Sequence, residues 1–325
     1  MINIKRILCP TDLTTESGQA LRYALALAAA YESELVLCHR PNVEVVASAA
    51  AIHGHPRRAF ITELHANRIF EGVLHRLLTS EDAAKLNWQG VVIDADDVGE
   101  GITRAASDCA ADLIVMRSRR RPHRAAILGS TAESVCRTAP CPVLVTHCDE
   151  RDWVQPMSKT ISIQKVLVPY DFSDYAELAL KYALSFAQEY QAELHLLHVL
   201  PPHSFNEPEI AWSPNQTDSA YHKAARRLQR AVTAEAHLWC EIKHVVSEGN
   251  AYREILNYAE NNQIDLISIG AHGAGFGMRA LFGSNVDRVL RQAPCPVFVA
   301  RPLRPKAFQP GVKSNGSTQR QQLAS

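Results

Sequence analysis

KVLVPYDFSDYAELALKYALSFAQEYQAELHLLH, residues 165–198, contains the repeating unit of the fold. KVLVP is an apolar run ending in proline, typical of a strand buried on both faces. The next segment predicts a helix with Ser173 or Asp174 as the N-cap, and Glu177 lies three residues after Asp174 as in a capping box. ELHLLHVL then predicts a second strand. One face of the predicted helix is apolar at helical spacing and contains Leu180, Ala183, Leu184 and Ala187.

The same unit occurs near the beginning of the chain. Residues 6–39, RILCPTDLTTESGQALRYALALAAAYESELVLCH, align without a gap at an offset of 159. Further along, GSTAESVCRTAPCPVLV (129–145) aligns with GSNVDRVLRQAPCPVFV (283–299) at an offset of 154. A repeat of this length predicts two homologous domains.

The repeats divide the chain into four segments. We predict a first domain at residues 1–146, a linker at 147–162, a second domain at 163–301 and a disordered tail at 302–325. The linker carries a proline and fits neither periodicity, and the tail is rich in Pro, Gln and Ser. In each domain, strands alternate with helices, which predicts α/β architecture: two repeated open parallel five-stranded sheets with helices on both faces.

Composition restricts the function classes. The 325 residues contain 34 basic and 34 acidic side chains, so overall charge does not favour nucleic acid as a partner. No apolar run reaches the roughly 18 residues of a membrane span, and the N-terminus does not resemble a signal peptide. The cysteines show no CxxC pair, and most lie in apolar runs as buried reduced thiols, with Cys148 the best candidate for an exposed one. We therefore expect a cytoplasmic protein without a membrane partner.

A glycine-rich loop follows a late strand of the second domain, in GAHGAGFGMRALFGS (270–284). In an open parallel sheet, ligands bind where such loops meet helix N-termini. Gly270 and Gly273 would let backbone N–H groups approach a ligand, and Gly283 and Ser284 would begin a helix whose N-terminus favours an anion. A plain turn is the alternative. There is no Walker A lysine and no dinucleotide GxGxxG after the first strand.

The spacing Gly270, two residues, Gly273, nine residues, Gly283, Ser284 resembles the signature of the universal stress protein family. VPYDFSDYAELALKYA, LLHVL, DLISIG and APCPV resemble other elements of that family, and the resemblance spans residues 3–301. The chain is thus similar to a tandem universal stress protein. The resemblance implies the adenine nucleotide alpha hydrolase-like, Rossmann-like fold class and ATP as the ligand, with Mg²⁺ left open.

The resemblance also implies roles for individual residues of the second domain. Asp171, near Pro169 after the first strand, would approach the adenosine, although capping the following helix is an alternative. Val199, at the end of the second strand, would line the adenine. The remaining residues would hold ribose and phosphates, with His272 either touching a phosphate or lying in solvent: Gly270, His272, Gly273, Gly283, Ser284 and Asn285.

The first domain departs from this pattern. Arg117 and Arg120 align with Gly270 and Gly273, and Arg40 aligns with Val199, although Asp12, Gly129 and Ser130 are kept. We expect this domain not to bind ATP in the family's manner. The arginines between 117 and 124 could bind another anion, lie in solvent, or contact acidic residues of the other domain.

No motif supplies both a metal-holding acid and a group that activates water, so no catalytic residue is assigned and regulation by bound ATP is favoured over turnover. Slow ATP hydrolysis and a scaffold that binds no nucleotide are the alternatives. By the resemblance, the closing strands CPVLV and CPVFV would pair across an internal pseudo-dimer, and a homodimer of whole chains is left open.

Overall fold

The computed structural model describes residues 2–14, 17–40, 67–118, 129–147, 150–154, 160–202, 214–273 and 283–303. The predicted exposed thiol Cys148 and the tail from residue 304 onwards lie outside these residues. So do the loop residues 119–128 and 274–282.

The two repeats contain their strands and main helices in the same order, with a short 3-10 turn in the second at the place of a short helix in the first. The first has β1 (Arg6–Pro10), α1 (Gly18–Ala30), β2 (Glu34–His39), helical residues 67–77 (α2), α3 (Ser80–Lys85), β3 (Trp88–Val92), α4 (Val98–Asp108), β4 (Leu113–Arg117), α5 (Ser130–Thr138) and β5 (Val143–Thr146). The second has β6 (Lys165–Pro169), α6 (Asp174–Tyr190), β7 (Glu193–Leu200), α7 (Pro214–Ala231), a short 3-10 turn (Ala236–Leu238), β8 (Ile242–Glu248), α8 (Ala251–Asn261), β9 (Leu266–Gly270), α9 (Ser284–Gln292) and β10 (Val297–Ala300). The predicted α/β fold is confirmed.

The ten strands form one continuous sheet in the order β3-β2-β1-β4-β5-β10-β9-β6-β7-β8. Each repeat supplies five parallel strands, and β5 pairs with β10 in the antiparallel direction. Leu144 lies opposite Phe298, its own equivalent in the other repeat, while Val143 pairs with Val299 and Val145 with Val297. The register is therefore symmetric about Leu144 and Phe298, and the predicted pairing of the closing strands is confirmed.

Apolar side chains cover the sheet on both faces. On one face, strand residues such as Leu35 and Leu196 pack beneath α1, α2, α6 and α7. On the other face, residues such as Leu8 and Ile267 pack beneath α4, α5, α8 and α9. Each layer of helices extends across both repeats, so the two halves share their cores as well as their sheet. No helix among the described residues has the length and apolarity to cross a bilayer.

The linker is less separate than its composition suggests. Trp153 and Val154 are buried, and the Trp153 ring meets the Tyr23 ring edge-on at 4.5 Å between centroids. Val154 forms an isolated antiparallel bridge with Ile161. The described part of the linker is thus packed against α1, which neither periodicity nor polarity indicated.

The seven described cysteines are all unpaired. Six are buried and Cys109 is half-buried. Burial raises the pKa of the Cys9 and Cys136 thiols to about 12, which keeps them protonated and unreactive near neutral pH. The prediction of buried, reduced cysteines is confirmed for these residues.

Candidate functional site

The candidate site lies at the carboxyl edge of the sheet in the second repeat. There β6 is flanked by β7 on one side and β9 on the other. The connection after β6 runs to β7 on one side, whereas β9 and its following loop lie on the other side, and the crevice forms between these loops. A cavity of about 290 Å³ occupies this crevice.

All nine residues predicted for nucleotide binding line this one cavity: Pro169, Asp171, Val199, Gly270, His272, Gly273, Gly283, Ser284 and Asn285. They come from the ends of three strands and from the first turn of α9. Sequence reasoning missed several lining residues, among them Tyr170, His198, Ala251 and Ile255. Ala251 and Ile255 belong to α8, which follows β8 at the same sheet edge. This position in the predicted strand–helix order was the signal that could have placed them at the site.

Asp171 organises the loop that follows β6. Its Oδ1 accepts hydrogen bonds from the Ser173 N–H at 3.1 Å and from the Ser173 hydroxyl at 2.6 Å. Phe172, between them, has a φ of 64°, and the local hydrogen bonds support this left-handed conformation. The first repeat builds the same turn, with Leu13 at a φ of 64° and Asp12 accepting from Thr14.

Ser173, not Asp171 or Asp174, caps helix α6. The Ser173 side chain accepts a hydrogen bond from the Ala176 N–H. The expected capping box is also absent here, because Glu177 instead accepts a hydrogen bond from the Tyr170 hydroxyl at 2.8 Å. The alternative reading of Asp171 as a helix cap is therefore wrong, and its carboxylate holds the turn at the cavity edge.

The two loop glycines are needed for different reasons. A β-carbon on Gly273 would lie 2.7 Å from Asp171 Oδ2, closer than non-bonded atoms approach. A β-carbon on Gly270 would lie 2.7 Å from the backbone carbonyl carbon and oxygen of Tyr175. Gly273 therefore lets the loop lie against the Asp171 carboxylate. Gly270 lets β9 pack against the first turn of α6. The steric reason for this glycine is therefore the contact with the helix backbone, and not the approach of a ligand that the sequence predicted.

Helix α9 presents its N-terminus to the cavity. Gly283 is the N-cap, and no side chain caps the helix, so its first backbone N–H groups have no partner within the helix. A β-carbon on Gly283 would meet Val286 Cγ2 at 3.5 Å, an ordinary contact. The N-terminal dipole and these N–H groups favour an anion at Ser284 and Asn285.

His272 is half-buried and its ring packs against the Tyr175 ring at 4.9 Å between centroids. The expectation of a solvated loop histidine is therefore not met. Burial, with the nearby Arg301 charge as a second cause, lowers the pKa of His272 below its usual value. The imidazole is neutral near pH 7 and can contribute a hydrogen bond but no positive charge.

A second histidine is fixed at the same edge. His198 Nδ1 lies 2.7 Å from the Tyr170 carbonyl oxygen, and because that oxygen can only accept, Nδ1 carries the hydrogen. The Phe172 ring lies 4.6 Å from the His198 ring, and the Arg227 guanidinium lies 3.8 Å above the Phe172 centroid. These contacts hold His198 in one orientation at the cavity wall.

The first repeat has a larger cavity at the equivalent edge, about 620 Å³. Asp12, Gly129 and Ser130 line it, as their equivalents line the second cavity. Arg40 and Arg117 also line it, in the places of Val199 and Gly270. Arg120, the equivalent of Gly273, lies outside the described residues. Two of the residues by which the first domain differs from the family pattern, Arg40 and Arg117, therefore line its cavity.

Comparison with known proteins assigns a class and then a family to this arrangement. A doubly wound sheet with a crevice beside its first strand and an uncapped helix N-terminus defines the Rossmann-like α/β class. The model of the universal stress protein family matches residues 3–147 and 162–301. The chain belongs to the universal stress protein family, with two copies of its domain.

Several relatives support this assignment. A universal stress protein of Mycolicibacterium smegmatis is 25% identical over 324 residues, covering 91% of this chain and 97% of that protein. One from Methanocaldococcus jannaschii is 30% identical over 139 residues, covering 42% of this chain and 82% of that protein. The crystal structure of a universal stress protein from Archaeoglobus fulgidus shares the fold with a TM-score of 0.61, at 24% identity and covering 91% and 96% of the two chains.

Proposed function

We propose that this protein is a stress-response regulator that binds ATP through its second domain. The observation that carries the proposal is the single cavity that gathers all nine motif residues beside the uncapped N-terminus of α9. Asp171 at the β6 end would meet the adenosine, Val199 would line the adenine, and the α9 turn would meet the phosphates. The cavity is close to the lower end of the range for small-molecule sites, roughly 300–1,000 Å³.

The charges around the cavity bear on the role of Mg²⁺. Among the described lining residues Asp171 is acidic, none is lysine or arginine, and His272 is neutral near pH 7. A triphosphate carries several negative charges, so the α9 dipole alone offsets only part of them. We propose that ATP binds as its Mg²⁺ complex, with the metal held by the nucleotide and water. No cluster of three metal-ligating side chains exists among the described residues.

Regulation is favoured over turnover because no motif in the sequence supplies both a metal-holding acid and a group that positions water, and the described residues contain no cluster of three metal-ligating side chains. Asp171 is committed to the Ser173 turn, and the adenosine end is its proposed place. Slow ATP hydrolysis on the same site is the second candidate function. We also propose the cytoplasm as the compartment, supported by the unpaired state of the seven cysteines that the structure describes.

The test begins with protein purified without added nucleotide, denatured, and analysed by mass spectrometry for released ATP or ADP. Incubation of the same protein with γ-labelled ATP and Mg²⁺ then measures phosphate release. Bound nucleotide with no turnover above the protein-free rate supports regulation. Phosphate release that is lost in Asp171→Asn would identify the protein as an ATPase. If no nucleotide is released on denaturation and no ATP binds, the protein is a scaffold that binds no nucleotide.

A further inference from the structure

The first-repeat cavity has no assigned ligand, and its wall differs in charge from that of the second cavity. Its described lining holds Arg40, Arg117 and Asp12, whereas the second lining holds Asp171 and no arginine or lysine. Taking arginine as +1 and aspartate as −1, the charged side chains sum to +1 in the first cavity and −1 in the second. The two cavities are therefore suited to different ligands.

The two arginines stand on either side of the central strand. Arg117 is the last residue of β4 and Arg40 directly follows β2, and both strands pair with β1. Strands that flank a common neighbour are roughly 10 Å apart, twice the spacing of adjacent strands. Both residues line the one cavity, and an arginine side chain is long enough for both guanidinium groups to reach one anion across the end of β1.

Helix α5 adds a third contribution from the same side. Gly129 is its N-cap and no side chain caps it. The first turn, Ser130 and Thr131, lines the cavity. Unpaired N–H groups of such a turn bind phosphate oxygens, and arginine is the side chain best matched to phosphate geometry.

Part of the cavity wall is apolar, although Thr11, Ser17 and His39 also line it. Ile93, Val98, Ile102 and Met116 line it, and three of these four are buried, at 2–6% exposure. About 620 Å³ is far more than an inorganic ion needs and within the range of pockets for small organic molecules. A ligand that fills it needs an apolar body as well as an anionic end.

We propose that the first domain binds a small organic phosphate monoester, with its phosphate between Arg40, Arg117 and the α5 N-terminus and its apolar body against Ile93, Ile102 and Met116. Asp12 stands at the same cavity and would accept from a hydroxyl or amino group of that body. ATP and this second ligand then occupy separate sites in one chain.

Phenyl phosphate is a suitable probe, because it joins a phosphate to an apolar ring. Calorimetric titration of the full chain is expected to show one site for phenyl phosphate, much weaker binding of inorganic phosphate, and none of phenol. Arg40→Val introduces the side chain that the second repeat has at the equivalent position, Val199. It should weaken the binding of phenyl phosphate by about 10- to 100-fold, the contribution of a charge-assisted contact. Arg117→Gln should weaken it similarly, and Arg40→Lys should retain part of the affinity.

Two controls locate the site. Arg76→Val removes an exposed arginine of α2 that is not part of the cavity lining, and Gly273→Ala disturbs the second cavity alone. Both should leave phenyl phosphate binding unchanged, and thermal unfolding should confirm that the variants are folded. Absence of binding to wild type, equal affinity for inorganic phosphate, or loss with Gly273→Ala but not with Arg40→Val would each overturn the proposal.

Discussion

Gly273 lies against the carboxylate of Asp171 so closely that a β-carbon on it would be 2.7 Å from Asp171 Oδ2. Asp171 in turn holds the Ser173 turn through Oδ1. The contact joins the loops after β6 and β9, which come from distant parts of the sequence. The shape of the second cavity therefore depends on position 273 having no side chain.

The first prediction separates two glycines of one motif. Gly273→Ala forces the loop away from Asp171. It should weaken ATP binding by about tenfold or more, since the displaced backbone groups of the loop lose charge-assisted contacts with the nucleotide. Gly283→Ala places its β-carbon at an ordinary 3.5 Å from Val286 Cγ2 and should change ATP affinity little. Calorimetric titration of ATP and Mg²⁺ measures both, and an equal loss in the two variants would contradict the geometry.

The second prediction concerns Gly270 and stability. Gly270→Ala brings a β-carbon against the Tyr175 backbone and should lower the free energy of unfolding by about 1–3 kcal/mol, the usual cost of overpacking. Gly18→Ala is the matched control, because its β-carbon meets nothing within 4 Å at the start of α1. Denaturant unfolding should show the control unchanged or slightly more stable. No loss in Gly270→Ala would argue against the observed packing of β9 on α6.

The third prediction tests the junction of the repeats. Arg301, only 8% exposed, donates from Nη1 to the Cys136 carbonyl of α5 at 2.6 Å. Arg301→Gln leaves that buried carbonyl unpaired and should cost about 1–3 kcal/mol. Arg137→Ala, which removes a half-exposed pair with Glu133, should cost less than about 1 kcal/mol. Chemical unfolding distinguishes them, and equal costs would show that the junction contact contributes little.

The fourth prediction concerns pH. Burial lowers the pKa of His272, as it does for the buried His195. A histidine free in the unfolded chain titrates near 6.5, so on acidification the unfolded chain takes up protons before the folded one. Stability should therefore be highest above about pH 6.5 and fall as pH drops below it. Unfolding measured from pH 7.5 to 5 checks the trend, and His195→Gln should flatten it if it folds. A stability that rises on acidification would contradict these shifts, and NMR titration of His272 reads its pKa directly.

The sequence predicted the strands and most helices well, because repeated units with strong periodicity leave few alternatives. ELHLLHVL forms a strand at Glu193–Leu200, as its apolar pattern indicated. The pairing of the closing strands was predicted only from the family resemblance, and their register was not predicted, since antiparallel pairing between repeats leaves no periodic signal. The packing of the linker was not predicted because Trp153 and Val154 are two adjacent apolar residues in a polar segment, too few to show a period.

The sequence predicted nine residues that line one cavity, but not the other lining residues or the contacts that hold the loops in place. The nine residues meet at one cavity because spacing and sheet topology bring strand ends together. The reason for Gly270 depends on the Tyr175 backbone, and the role of Glu177 depends on the Tyr170 hydroxyl. Both are contacts in three dimensions that no spacing encodes. The size of the first cavity could not be predicted from the sequence either, although the substitutions to arginine at its wall could be read directly from the alignment of the repeats.

The central claim is that one domain of the two binds ATP. Its most direct measurement is the stoichiometry of Mg²⁺–ATP binding by calorimetry, in wild type and in Gly273→Arg, which installs the residue aligned at this position in the first repeat. The account predicts one ATP per chain in the wild type and none in Gly273→Arg, with thermal unfolding showing that the variant is folded. Two ATP molecules per chain, or an unchanged affinity in Gly273→Arg, would contradict it.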